Sequence, residues 1–141
     1  MANYYATTRT NYFRVKDAEA FEAWCADLNL EFWKQDTGPN AYYACTADTG
    51  DCCGWPSQRR MTDEDGCEDY VDIDFTGELA EHVHERDCAV LIEIGSEKLR
   101  YLVGVAIAVH PDGRLHSLNI ADIYECARQA FPGINVTEAQ Y

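Results

Sequence analysis

The sequence predicts an α+β domain: an antiparallel or mixed sheet of about six to seven strands, with two to three helices packed on it. Three observations predict this. Several short segments are rich in β-branched and aromatic residues or alternate with period two. Others place apolar residues three and four apart, and turn residues separate the two kinds. The 141 residues fit one domain, residues 1–141, and 47% of them are hydrophobic. A chain of this length buries roughly two-thirds of its unfolded surface and needs neither metal nor disulfide to fold.

Residues 7–15 read as a strand from their threonines and aromatics. Asp17 is the N-cap of a first helix, with Ala18, Phe21, Cys25 and Leu28 on one face, running to about Asn29. Leu30 to Lys34 and Ala41 to Cys45 form a hairpin about Gly38-Pro39-Asn40. Residues 46–68 lack periodicity and contain Gly50, Gly54, Pro56 and Gly66, so a long loop is expected.

Asp69 to Phe75 alternates, with Val71, Ile73 and Phe75 on one side and Tyr70, Asp72 and Asp74 on the other. That is the pattern of a half-buried strand. Thr76 is then the cap of a short helix, Gly77 to Arg86, with Leu79 and Val83 inward. Cys88 to Ile94 and Leu99 to Val109 are strands, the latter central because it is apolar almost throughout. Asp112-Gly113 turns the chain into a strand over Leu115 to Ile120. Ile120, Ile123, Tyr124, Ala127 and Phe131 give an amphipathic last helix, ended by Pro132-Gly133, with an edge strand over Ile134 to Thr137.

The net charge is -14, which repels nucleic acid and anionic membrane and attracts basic protein. Direct nucleic-acid and membrane binding are therefore not expected. No apolar run approaches the ~20 residues of a membrane span. Residues 1–5 show no basic region leading into an apolar one, so no signal peptide is expected and the expected compartment is the cytoplasm.

The charge is concentrated. Between Asp63 and Asp87 there are eleven acidic residues and one basic residue, Arg86. On a strand, Asp72 and Asp74 project from one face. On a helix, Glu78, Glu81 and Glu85 share one stripe. Like charges at such spacings repel, so a chain that keeps them is a candidate for using them. Asp69, Tyr70, Asp72, Asp74, Glu78, Glu81 and Glu85 are the candidate partner-binding residues, with Trp55 as a further aromatic anchor. The competing reading is a solvated face that keeps the protein in solution.

Seven cysteines and no expected secretion signal imply reduced thiols. Cys25, Cys88 and Cys126 fall in apolar patterns and read as core residues. Cys45, Cys52, Cys53 and Cys67 are a candidate zinc set, although their spacing lacks paired knuckles. His82 and His84 point about 200° apart on a helix and read as exposed. Asp63-Glu64-Asp65-Gly66 is similar to the start of a calcium loop, without the later ligands. No catalytic motif is present, and a thiol nucleophile would need a histidine brought close by the fold. No cofactor and no enzymatic activity are expected.

Residues 3–17 with Ala20-Phe21, and residues 97–104 through Asp122-Ile123-Tyr124, resemble small proteins of phages and other bacterial mobile elements. Short acidic proteins of that kind include anti-CRISPR and anti-restriction inhibitors that mimic DNA. The resemblance implies a basic nucleic-acid-binding protein or defence complex of the bacterial host as partner, and it assigns no individual residue.

Overall fold

Residues 4–37, 40–47, 54–98 and 100–140 are described by the structure, a computed structural model. The architecture is α+β. In chain order the elements are β1 (Tyr4–Thr10), β2 (Phe13–Arg14), α1 (Ala18–Asp27), β3 (Glu31–Thr37), β4 (Asn40–Thr46) and β5 (Gln58–Thr62). There follow β6 (Glu68–Asp72), α2 (Phe75–His82), β7 (Ala89–Glu97), β8 (Tyr101–Val109), β9 (Leu115–Asn119) and α3 (Asp122–Ala130). Every strand pair is antiparallel. The strands fall into three sheets rather than one, ordered β1-β7-β8-β9, β2-β4-β3 and β5-β6.

The division begins where the expected strand over residues 7–15 breaks. Asn11 Oδ1 accepts from the Val90 amide at 2.7 Å and its amide nitrogen donates to the Cys88 carbonyl at 3.0 Å. With Asn11 tied to the start of β7, the chain leaves the first sheet and Phe13–Arg14 pairs with β4 instead. Threonines join the two sheets. Thr10 Oγ1 accepts from the Cys45 amide at 2.8 Å, Thr8 Oγ1 accepts from the Ala47 amide at 2.8 Å, and Thr46 Oγ1 donates to the Thr8 carbonyl at 2.7 Å. Thr8, Thr10 and Thr46 are buried, so these bonds satisfy groups that would otherwise be costly to bury.

Asp17 caps α1 as its sequence predicts, accepting from the Ala20 amide. The buried face carries Phe21, Trp24 and Cys25 onto β4, where Tyr43 and Cys45 are also buried. Phe21 meets Phe13 edge-on at 5.8 Å and Tyr43 at 5.0 Å. Trp24, Phe75 and Trp55 form a stacked column, each step 5.4 Å with planes 19° apart. Leu79 and Val83 complete this core beside Leu91 and Val109 of the four-stranded sheet.

Several expectations need correction. The segment taken as a loop, 46–68, contains β5; its residues 48–53 lie outside the described residues, as do Gly38 and Pro39 of the expected turn. The alternating segment from Asp69 is not half-buried. β6 stops at Asp72 and all five of its residues are exposed, because among the described residues only β5 pairs with it and no layer covers the two. The cap of α2 is Asp74, which accepts from the Gly77 amide, and not Thr76. Residues 134–137 form no strand. β9 and α3 contain no buried residue, so the last helix is not packed into the core.

Candidate protein-binding surface

The β5–β6 ribbon is the most exposed acidic element. Its tip is a tight turn in which Asp63 Oδ1 accepts from the amides of Asp65 and Cys67 at 3.0 and 2.8 Å. Asp63 thus shapes the turn, which presents Glu64 and Asp65 to solvent. Along β6, register places Tyr70 opposite Arg60 and Asp72 opposite Gln58 on one face, with Asp69 opposite Met61 on the other. Tyr70 is 59% exposed. Gln58 donates to Asp72 at 3.0 Å.

The acidic segment is less uniform than its sequence implies. Arg59 donates to Asp27 Oδ2 and Glu78 Oε1, both at 2.5 Å, and Trp24 Nε1 donates to Glu78 Oε1 at 3.0 Å. Arg59 holds the Glu78 carboxyl below its ordinary value. Glu78 therefore anchors the ribbon to α1 and α2 and is not a free contact residue. Arg60 pairs with Glu68. Asp87 is clamped by Arg14, whose guanidinium reaches Oδ1 at 2.6 Å and lowers the carboxyl's pKa.

The expected stripe of Glu78, Glu81 and Glu85 does not form. Val83 is extended and bridges to Val15, and His84 donates its amide to the Arg14 carbonyl, so the helix stops before Glu85. Asp74 faces its own helix as the cap, receiving Thr76 Oγ1 at 3.2 Å as well as the Gly77 amide, so it does not project beside Asp72. Among the described residues, Glu64, Asp65, Asp69, Asp72, Glu81 and Glu85 are exposed and make no ion pair. Trp55 is half-buried in the aromatic column, with its amide on Glu93 Oε1 at 3.0 Å, and is no surface anchor. The positive φ of Gly54, +97°, lets that carboxylate lie close against the backbone, where a Cβ would collide with it.

The thiols are dispersed. Cys45 is wholly buried, and burial pushes its thiol up to about 12, which opposes the thiolate that zinc or nucleophilic chemistry requires. Burial likewise pushes up Cys25. Cys67 is exposed at the ribbon turn, and Cys52 and Cys53 lie outside the described residues. Among the described residues no group of three or more potential metal ligands comes together. Cys88 and Cys126 are exposed rather than core residues. His82 is half-buried at the end of α2, 5.1 Å from the Trp24 ring and 5.9 Å from that of Phe21, so it belongs to the aromatic cluster and is not an exposed helix residue.

A second surface went unforeseen: the outer face of the four-stranded sheet, where Ile92, Ile94, Leu102 and Leu118 are all exposed. The signal is present in the unbroken apolar run Ala89 to Ile92, taken up again at Ile94 beyond Glu93, which puts apolar residues on both sides of the strand. Such a strand asks for cover on both faces, and among the described residues only one is covered. Among the described residues no helix is long and apolar enough to cross a membrane. No protein-family model, curated protein or solved structure matches the chain.

Proposed function

We propose that the protein is a non-enzymatic inhibitor that works in the cytoplasm of a bacterial host. It mimics nucleic acid and binds a basic nucleic-acid-handling protein, such as a CRISPR-Cas complex or a restriction enzyme. One observation carries this reading: the β5–β6 ribbon exposes Asp69, Tyr70 and Asp72 and ends in Glu64-Asp65, with no arginine among the described residues paired to those carboxylates. Tyr70 and Asp72 stand on one face about 6.7 Å apart and Asp69 on the other, so the ribbon offers a cationic groove carboxylates on both faces and at its tip in place of phosphates.

Glu81 and Glu85 extend the negative field beyond the ribbon. Glu78 and Asp74 contribute by fixing the ribbon and helix rather than by contact. Long-range attraction of this kind speeds encounter and is screened by salt.

The test is capture of a basic nuclease or surveillance complex from bacterial lysate at low and high salt, with duplex DNA as competitor. Asp69→Lys/Asp72→Lys, two exposed positions, is compared with the natural chain, and circular dichroism verifies folding. Capture lost in the variant, at high salt and with DNA is the expected result. Equal capture by the folded variant defeats the proposal.

A further inference from the structure

We infer that the outer face of the four-stranded sheet, together with α3, is the interface of a homodimer. The face and the helix enclose an open groove of about 570 Å³, lined by Ile92, Ile94, Leu118, Ile120 and Ile123. Gly104 forms part of its floor, and Ile120 lies directly against it where a side chain would collide. The one charged residue lining the groove is Asp122, whose carboxylate accepts from the Asn119 amide at 2.8 Å.

Three arguments favour a second copy as the occupant. The first is the helix. α3 has nine residues, too few for stability in water from hydrogen bonds alone, and none of them is buried. It needs an apolar cover that no other described element supplies.

The second is area. Ile92, Ile94, Leu102, Leu118, Ile120 and Ile123 are between 39% and 62% exposed. At roughly 100 Å² each they offer roughly 600 Å² per copy. Two copies together bury about 1,200 Å², the lower bound of stable interfaces, and about 600 Å² per copy lies at the upper end of the apolar patches that monomers expose.

The third is shape and charge. A two-fold interface must be self-complementary, and an exposed apolar sheet face beside an exposed amphipathic helix can meet its own copy, helix against sheet. A chain of net charge -14 repels its own copies wherever carboxylates meet. Among the described residues the groove is lined by one charged residue, Asp122, and on the surrounding face Arg9 beside Ile92 and Arg128 on α3 offset the carboxylates of Asp122 and Glu125, so this is where two copies can approach.

Sedimentation equilibrium on the full chain tests the inference, with Ile94→Lys and Leu118→Glu compared singly. Both positions are exposed, so the fold should survive, and circular dichroism verifies it. The natural chain should sediment at twice its monomer mass at about 100 µM, and each substitution should weaken association by about 100-fold or more. Alkylation of Cys126, which lines the groove, should slow as concentration rises, while that of Cys67 on the ribbon should not. A monomer at that concentration, a dimer indifferent to both substitutions, or a Cys126 rate independent of concentration would each overturn it. A monomer whose groove takes up an apolar fluorescent probe would reassign the groove to a small apolar ligand.

Discussion

Phe75 and Phe131 are the same side chain in opposite circumstances. Phe75 opens α2, is 7% exposed and lies stacked between Trp24 and Trp55. Phe131 closes α3 and is 61% exposed. α3 has the stronger amphipathic pattern of the two helices yet buries nothing, while α2 is embedded in the core with a weaker one. Amphipathic periodicity records that a face wants cover; whether the same chain provides it depends on topology. At residues 13–83 the described elements fold back on one another, and over residues 115–140 no described element covers β9 and α3.

Truncation at these two positions is the sharpest way to break the contrast. Phe75→Ala removes the middle of a three-ring column and should cost about 3–5 kcal/mol, a large part of the stability of a domain this size. Phe131→Ala should cost less than about 1 kcal/mol. Urea midpoints at one low protein concentration measure both. Similar losses would mean that the C-terminal region is as well packed as the core.

The contrast also shows what was legible in the sequence. Asp17 as a cap, the β3–β4 hairpin, the central β8 and the Asp112-Gly113 turn each depend on chemistry within a few residues, and each forms as expected. Features fixed by distant partners were not legible. The end of α2 depends on Val15 bridging to Val83, residues 68 positions apart. The exposure of β6 depends on the absence of a covering layer, which alternation alone cannot reveal. In the candidate surface, Asp69, Tyr70 and Asp72 are exposed, whereas Glu78 is taken up by Arg59, which belongs to a strand hidden in a segment rich in glycine and proline.

Arg59 joins the acidic ribbon to the core, and its removal should produce an intermediate effect. Arg59→Ala strands Glu78 beside Trp24 and frees Asp27. The carboxylate is about a quarter exposed, so solvent relieves part of the loss, and about 1–2 kcal/mol is expected. Amide exchange over β5 and β6 should accelerate more than that over α1 if the arginine tethers the ribbon. An equal change in both elements would point instead to general loosening of the core.

The smallest effect, and the finest probe of the core side of the comparison, is protonation of His82. Burial against Phe21 and Trp24 depresses its pKa from the ordinary ~6.5, opposed by Glu81, Glu78 and Asp17 and assisted by Lys16. The unfolded chain therefore binds this proton more readily than the folded one. Stability from this group is whole above ~6.5 and falls as pH drops from there through the depressed value. The Arg-paired carboxylates of Glu78 and Asp87 are also depressed, but their contribution is lost only at more acidic pH, below the ordinary carboxylate range of about 4. The windows are separate. Urea midpoints at pH 7.5 and pH 5 should differ for the natural chain and converge in His82→Phe, which keeps an aromatic ring in the cluster and removes the titrating nitrogen. A slope that survives in His82→Phe would place the titration elsewhere.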